Sequence, residues 1–361
     1  MTGVTGLHHV TCIAGDAQDN VDFYLGVLGM RLVKKSVNQD SPGTYHLFYA
    51  DGEGHPGTDI TFFPWPEMPP AKPGVGLAME VSLAVPLGSV DYWGERLAEH
   101  HLAVDEIETR RGTSALPFTD PHGLPLVLHE TGDDRDFTPW KESPVPVEKQ
   151  IRGLHSVRLW QRDLALTSSF LTGVLGFVDI GAENDWFGFE IGGGGSGRYL
   201  EIREIADADR GRWGTGGVHH VAWRVPNDKT ELEMRERIDR ARRGLARGLL
   251  SPPSERRDIL RETARDESRE VHRSQLSLDQ RRHLFHGDVR LGECSLAIAV
   301  TAVLAAESSV CIGSTATRVL AERHSTALTR WSLWSEHDSS SYCARVPVVL
   351  RTRTESADFT L

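Results

Sequence analysis

Two pairs of adjacent histidines carry the clearest chemical signal in the sequence. His8 and His9 lie in the run 6–11, and His219 and His220 lie in the similar run 217–222. An imidazole that titrates near neutral pH can bind a divalent metal ion or move a proton. A lone histidine in an apolar, β-branched run is more often a packed core residue than a ligand. Because the histidine pair occurs twice, the sequence favours a metal-binding or acid–base role over a packed core role.

The residues around each pair predict a buried strand. Adjacent side chains on a strand point to opposite faces. We therefore expect one imidazole of each pair to face an interior cavity, and its neighbour to pack or form a hydrogen bond on the other side.

Composition describes an ordinary globular chain of about two domains. The 361 residues are 39% hydrophobic and 25% charged, which is typical of soluble proteins. The formal net charge of −11 argues against a nucleic-acid partner, because phosphate contacts need clustered Lys and Arg. The four cysteines are far apart and have no C-x-x-C spacing. This excludes an evident disulfide framework or thiolate zinc site and predicts a cytoplasmic protein.

The sequence also predicts no association with a membrane. No basic segment followed by an apolar core opens the chain, so no signal peptide is expected. The apolar stretch 296–306 is too short to span a bilayer.

The sequence contains an internal repeat. Residues 6–10 are matched by residues 153–157, and residues 23–30 by residues 170–177, both at an offset of 147 without a gap. Such self-similarity is typical of a duplicated structural unit. Two further copies are fainter, one from residue 77 and one from residue 217.

Each unit has the predicted element order β-α-β-β-β. In the first unit, strands are predicted over 7–13, 31–38, 45–50 and 58–63. A helix follows the first strand, with Asp19 or Asn20 as its N-cap. Val21, Tyr24, Leu25 and Leu28 recur at helical spacing and should be buried, and Gly29 should end the helix.

The fainter copies follow the same order. The second has strands over 77–85 and 124–130 and a helix over 90–100 whose Val90, Trp93 and Leu97 share one face. The fourth has a strand over 218–225 and a helix over 230–240. We predict an N-terminal domain over 5–135, a second domain over 150–241, and a tail over 242–361.

These motifs resemble the vicinal oxygen chelate superfamily, the group that includes glyoxalases, bleomycin resistance proteins and extradiol dioxygenases. The similarity covers about residues 5–240 and is greatest to the dioxygenases that open hydroquinone-type rings. It is carried by residues 6–11, 23–29, 45–51, 56–58 and 217–222. It implies an α+β fold of repeated βαβββ modules, whose curved mixed sheets surround a metal cavity.

The resemblance also implies a ligand set of two histidines and one glutamate. By position in the motif, His9 and His220 are the implied metal ligands. A facial triad of this kind leaves open positions on Fe(II) where a ring hydroxyl and O2 can bind, and Mn(II) is the alternative metal. His8 and His219 would then support the ligands or act in acid–base catalysis. Thr11 could hydrogen-bond oxygen or substrate, although an ordinary strand role fits it equally well.

Other side chains are weaker ligand candidates. A packed or surface role is the better expectation for His46, His122 and His129. Glu130 and Glu201 end the closing strands of modules two and three. The third module has Ser156 where the first has its second histidine, with His155 as the counterpart of His8, so its metal role is expected to be absent.

The resemblance ends near residue 241. The residues beyond it contain no lysine and lack the glutamate-bearing strand that the family would place there. The codons for residues 258–265, shifted by one nucleotide, permit the family-like sequence Ile-Tyr-Phe-Ala-Arg-Pro-x-Gly, and a glutamate overlapping Arg269. We hypothesise a frameshift near residues 241–257, with an irregular tail and no third ligand as its consequence; the alternative is a genuine divergent tail. Glu262, Glu270 and His272 lie near the expected place but are not favoured as ligands.

Three functions are compatible with these motifs. The first is a metal-dependent, ring-cleaving dioxygenase acting on a hydroquinone or catechol-like aromatic with O2, impaired by the missing ligand. The second is a glyoxalase-type isomerase or lyase, and the third is a non-catalytic protein that binds or sequesters a small aromatic. The expected partners are a small aromatic substrate and O2, and a homo-oligomer remains open.

Overall fold

The computed structural model describes residues 3–38, 41–250 and 296–299. The strands are β1 (Gly6–Ala14), β2 (Arg31–Val37), β3 (Tyr45–Ala50), β4 (Asp59–Pro64), β5 (Leu77–Pro86), β6 (Glu108–Arg110), β7 (Thr113–Thr119), β8 (Pro125–Thr131), β9 (Gly153–Gln161), β10 (Val178–Glu183), β11 (Trp186–Glu190), β12 (Tyr199–Glu204), β13 (Val218–Val225) and β14 (Leu296–Ala299). The helices are α1 (Ala17–Val21, continued by a π-helix over Asp22–Val27), α2 (Val90–Glu99), α3 (Leu164–Phe170, continued by a π-helix over Leu171–Leu175) and α4 (Asp228–Leu250), with a 3₁₀ turn at Val147–Lys149.

The strands of the described residues form two curled sheets. The first has the order β14-β13-β1-β4-β3-β2, and the second has the order β10-β11-β12-β9-β5-β8-β7-β6. The first strands of two modules pair antiparallel at the centre of each sheet, β1 with β13 and β5 with β9. The first module therefore shares a sheet with the fourth, and the second with the third. The expected α+β arrangement of repeated βαβββ modules is confirmed.

One continuous apolar core joins the two sheets to the helices that cover them. Its largest fully buried side chains include Tyr24 and Tyr49 in the first module, Trp93 in the second and Trp223 in the fourth. The rigid layer beneath the central strands is built from all four modules, so residues far apart in the chain are held at fixed distances.

The first helix begins earlier than predicted. Asp16 is its N-cap and accepts hydrogen bonds from the backbone N–H groups of Gln18 and Asp19, so the predicted caps Asp19 and Asn20 are wrong. An Asp one turn earlier was available, and the N-terminal cap depends on where the chain leaves β1. Gly29 ends the helix with a φ of +67°, a conformation that glycine adopts without a steric penalty.

The second helix agrees with its sequence pattern. Val90, Trp93 and Leu97 are buried on its inner face. Glu130 accepts the backbone N–H groups of Ser89 and Val90 at 2.6 and 3.0 Å. A carboxylate at this end also complements the helix dipole.

The fourth module departs from the other three after its helix. In modules one to three the closing strand runs parallel to the first strand, as β4 does beside β1, β8 beside β5 and β12 beside β9. At the corresponding edge of β13 lies β14, which runs antiparallel and supplies Leu-Ala-Ile-Ala without a carboxylate. The rest of the predicted tail, including Glu262, Glu270 and His272, lies outside the described residues.

Two further expectations concern the domain boundaries and membrane-spanning helices. The boundaries 5–135 and 150–241 stay predictions. Each sheet contains strands from both segments. Within the part of the chain that the structure describes, no helix combines the length and apolar character needed to cross a bilayer.

Candidate metal centre

The histidine pairs are shaped by two β-bulges where β1 meets β13. The register passes from Leu7 opposite Trp223 to His9 opposite Ala222, which leaves His8 as the extra residue. It passes likewise from Thr11 opposite His220 to Cys12 opposite Val218, which leaves His219 as the extra residue. A bulge re-aims the side chains beside it.

Because of the bulges, the two rings of each pair do not separate to opposite faces as simple alternation predicts. Nδ1 of His8 lies 2.9 Å from Nδ1 of His9, and the two rings meet edge to face. His219 and His220 repeat this contact at 2.8 Å. The expectation of opposite faces is therefore wrong, and each first histidine is a direct partner of the second.

The second histidines of the two pairs meet. Nε2 of His9 lies 3.1 Å from Nε2 of His220, although the residues are 211 positions apart. Both rings are partly buried. Thr11 joins them, with its Oγ1 3.1 Å from Nε2 of His220. All five predicted site residues are thus brought together at the junction of modules one and four.

The donor set fits a divalent metal ion. Imidazole nitrogens bind such ions at about 2 Å, so two ligands at right angles place their nitrogens about 3 Å apart. The observed Nε2 separation of 3.1 Å matches that spacing. Metal-binding histidines also use their other ring nitrogen in a hydrogen bond that fixes the tautomer, and Nδ1 of His9 and of His220 has such a contact.

Aromatic side chains line one side of the centre. Trp213 stacks on His219 with ring centroids 4.6 Å apart, and Phe63 and Trp65 lie 5.3 and 6.1 Å from the same ring. The segments that carry the two tryptophans also pair with each other, through Lys72 and Arg212. The sequence did not single out these tryptophans. Both lie in loops next to the histidine strands, and that proximity was the available signal.

A third ligand is not found in the described ranges 3–38, 41–250 and 296–299, where no group of three His, Cys, Asp or Glu side chains is placed to hold an ion. Glu130 instead caps α2. Glu201 bonds Arg111 and Arg158 at 2.9 and 2.7 Å. Nδ1 of His122 accepts the backbone N–H of Gly15 at 3.3 Å.

The second sheet contains a counterpart of this junction with different chemistry. The pairing of β5 with β9 leaves out Met79 and His155, which are the extra residues of two bulges. Glu80 and Ser156 come directly after these bulges, as His9 and His220 do in the first sheet. Glu80 pairs with Arg110. Ser156 predicts that this module has no metal role, and that expectation stays a prediction; the structure places an ionic network here.

The counterpart junction also holds two neutral imidazoles. His129 stacks on His155 at 3.8 Å, and its Nε2 contacts Oγ1 of Thr113 at 2.7 Å. Burial, together with the positive charge of Arg110, lowers the pKa of His129 to about 4. Burial also holds the pKa of His155 well below its ordinary value. These rings pack as uncharged aromatics, as the packed role expected for His129 requires.

Comparisons with known proteins identify the family of the chain. Residues 6–128 match the family model described as the Glyoxalase/Bleomycin resistance protein/Dioxygenase superfamily. MhqA of Bacillus subtilis (strain 168), provisionally named a ring-cleaving dioxygenase, is 40% identical over 242 residues, which cover 65% of this chain and 76% of MhqA. The chlorohydroquinone/hydroquinone 1,2-dioxygenase of Sphingobium indicum is 34% identical over 227 residues, 62% of this chain and 71% of that protein.

A solved structure shows the same fold. The crystal structure of a provisionally assigned dioxygenase from Bacillus subtilis subsp. subtilis str. 168 superposes with a TM-score of 0.60 at 35% identity. The match covers 66% of this chain and 76% of that one.

Proposed function

Because the chain belongs to the Glyoxalase/Bleomycin resistance protein/Dioxygenase superfamily and is a dioxygenase of that group, we propose that it opens a hydroquinone-type aromatic ring with O2. The reaction breaks one ring carbon–carbon bond and places both oxygen atoms in the product, so the ring is oxidised and O2 is reduced. A small aromatic and O2 are therefore the proposed partners.

The observation that carries this proposal is the 3.1 Å approach of Nε2 of His9 to Nε2 of His220. Neutral imidazoles bind iron and manganese, whereas thiolate-preferring metals select cysteine. Cys12 is fully buried, and its pKa is raised by burial and by the nearby Asp120, so it is a poor thiolate donor. We propose Fe(II) as the metal, with Mn(II) as the alternative.

The bound metal would supply two open positions at which the ring hydroxyl and O2 become neighbours. His9 and His220 would hold it through Nε2. His8 and His219 contact the other nitrogens of these ligands, so they can orient the ligand rings. A ring hydroxyl must lose a proton on binding, and a neighbouring imidazole is a suitable acceptor.

The aromatic surface beside His219 suits a flat substrate. Phe63, Trp65 and Trp213 surround one side of that imidazole. Aromatic rings pack favourably edge to face or offset at centroid distances of 4.5–7 Å. Oγ1 of Thr11 lies 3.1 Å from Nε2 of His220, and we propose that it donates a hydrogen bond to the bound oxygen or substrate.

The frameshift hypothesis would explain why the described residues contain no third ligand. Each complete module has a parallel strand beside its first strand, and a carboxylate on such a strand in module four would face β13 from the side opposite β1. The antiparallel β14 lies at that edge. A chain with the glutamate restored should therefore bind iron more tightly than the present one.

The test is oxygen uptake with hydroquinone after anaerobic loading with Fe(II). We expect stoichiometric O2 consumption and a ring-opened product that contains both atoms of ¹⁸O2, weak for the present chain and strong for a frame-corrected version. His9→Ala and His220→Ala should each abolish uptake. His122→Ala is the matched control, because His122 contacts Gly15 and lies outside the centre.

Two outcomes would contradict the proposal. Absence of uptake in the frame-corrected, iron-loaded protein would exclude ring cleavage. Tight binding of an aromatic in the absence of metal, with no turnover, would favour the non-catalytic alternative.

A further inference from the structure

A row of hydrogen-bonding side chains crosses four neighbouring strands of the first sheet. From Nε2 of His220 on β13, Oγ1 of Thr11 on β1 is 3.1 Å away. Oγ1 of Thr61 on β4 lies 2.7 Å from Oγ1 of Thr11. Nε2 of His46 on β3 lies 2.9 Å from Oγ1 of Thr61. We name these four residues the threonine row.

The row is buried and in register. Thr11 is opposite His220 on one side and opposite Thr61 on the other. Both hydroxyls are completely buried, and His46 is 8% exposed. Phe48 and Phe63 pack against the His46 ring at centroid distances of 3.9 and 4.4 Å. Water therefore has little access to the two threonine hydroxyls, and each must find its hydrogen-bond partners within the protein.

The donor and acceptor capacity of each group fixes the direction of the hydrogen bonds along the threonine row. A hydroxyl has one proton to donate. A metal-binding His220 carries a lone pair on Nε2, and in the metal-free protein this lone pair accepts the proton of Thr11 at 3.1 Å. A bound metal would take the same lone pair and leave the Thr11 proton to be donated to bound oxygen or substrate. Thr11 then has to accept from Thr61, because the single Thr11 proton is already used. Thr61 in turn has to accept from Nε2–H of His46.

We infer that His46 is a positioning residue, which acts through Thr61 to keep the Thr11 hydroxyl pointed as a donor into the metal centre. The inference rests on the proposed function, since a bound oxygen or substrate is what Thr11 would address. It assigns a specific tautomer to His46, with the proton on Nε2. It also assigns Thr61, which nothing in the motif pattern singled out, to the same task.

The tautomer is measured on the metal-free protein. Long-range ¹⁵N NMR of histidine-labelled protein distinguishes a protonated ring nitrogen from one that carries a lone pair. We expect Nε2 of His46 to be protonated and Nε2 of His220 to be unprotonated. We also expect Thr61→Val to shift the His220 Nε2 resonance, because Thr11 loses the donor that orients it.

The conservative variants separate positioning from packing. Thr61→Ser and His46→Gln keep a hydroxyl and a side-chain N–H in place, whereas Thr61→Val and His46→Leu remove them at similar size. In the iron-loaded, frame-corrected protein we expect Thr61→Val and His46→Leu to lower kcat about tenfold with little change in KM. This loss is smaller than the full rate contribution of acid–base catalysis or substrate orientation in enzymes. Thr61→Ser and His46→Gln should keep most of the activity.

Thr167→Val is the matched control. Thr167 is also a buried threonine, but it lies on α3 and its hydroxyl donates to the backbone carbonyl of Asp163. Its removal should cost stability without moving the His220 resonance or kcat.

An unprotonated Nε2 on His46, or a His220 resonance unchanged by Thr61→Val, would overturn the inference. So would an equal loss of kcat in Thr61→Ser and Thr61→Val. If no variant opens a ring, the proposed function fails, and the NMR result on the metal-free protein still decides the direction of the row.

Discussion

Acid should weaken the second sheet through His129. The folded-state pKa of this imidazole is about 4 because of burial and the neighbouring Arg110, against an ordinary value of 6.5. Between these two pH values the unfolded chain binds a proton that the folded chain does not bind. The stability associated with a neutral His129 is therefore complete above about pH 6.5 and is lost as the pH falls towards 4.

The size of the effect follows from the two pKa values. A gap of about 2.5 pH units, at about 1.4 kcal/mol each, gives about 3.5 kcal/mol in full, of which about 3 kcal/mol is lost by pH 4. His155, stacked on His129 and also held neutral by burial, adds to the loss with the same sign.

The assay is urea unfolding, followed by tryptophan fluorescence, at several pH values between 7 and 4. His129→Gln keeps an N–H or carbonyl for Thr113 and removes the titrating ring. We expect the free energy of unfolding of the wild-type protein to fall by up to about 3 kcal/mol more than that of the variant across this range. His100→Gln, a change at an exposed histidine, should follow the wild-type profile.

If the wild-type protein and His129→Gln show the same pH slope, His129 is not a buried neutral imidazole. The description of the second junction as a non-metal counterpart would then lose its main electrostatic support.

Three more predictions concern the ionic network, a helix end and the gene. Glu201→Gln removes the carboxylate that pairs with the partly exposed Arg111 and the buried Arg158 and should cost about 3 kcal/mol in urea unfolding. The exposed pair Lys72–Asp209 is the comparison, and Asp209→Asn should cost under about 1 kcal/mol; equal costs would contradict the burial argument. Glu130→Ala should lower stability by about 1–2 kcal/mol through the lost bonds at the start of α2, and an unchanged melting temperature would argue against that cap. Sequencing the gene should reveal codons that spell Ile-Tyr-Phe-Ala-Arg-Pro-x-Gly one nucleotide out of frame across 258–265, and codons that cannot do so would end the frameshift hypothesis.

Local patterns predicted much of the fold because they depend on near neighbours. The spacing of Val90, Trp93 and Leu97 identified α2 and its buried face. The predicted limits of β3 and β13, 45–50 and 218–225, agree with the structure. Histidine types, duplication and family resemblance together selected the residues of the candidate metal centre.

Long-range pairing limited the rest. The bulges at His8 and His219 arise only where β1 and β13 meet, and a single strand contains no sign of that register. The pairing of module one with module four is likewise invisible to a repeat search. The row from Thr11 to His46 needs four strands in order, so no spacing along the chain could show it.

The most direct test of the central claim is the iron content of the protein after anaerobic loading with Fe(II) and removal of excess metal. The wild-type chain, the single variants His9→Ala and His220→Ala, and the control His122→Ala should be measured together. The arrangement of the two Nε2 atoms predicts that iron is retained by the wild-type protein and His122→Ala and lost from both other variants. Equal iron content in His9→Ala and the wild-type protein would contradict a centre built on these two histidines.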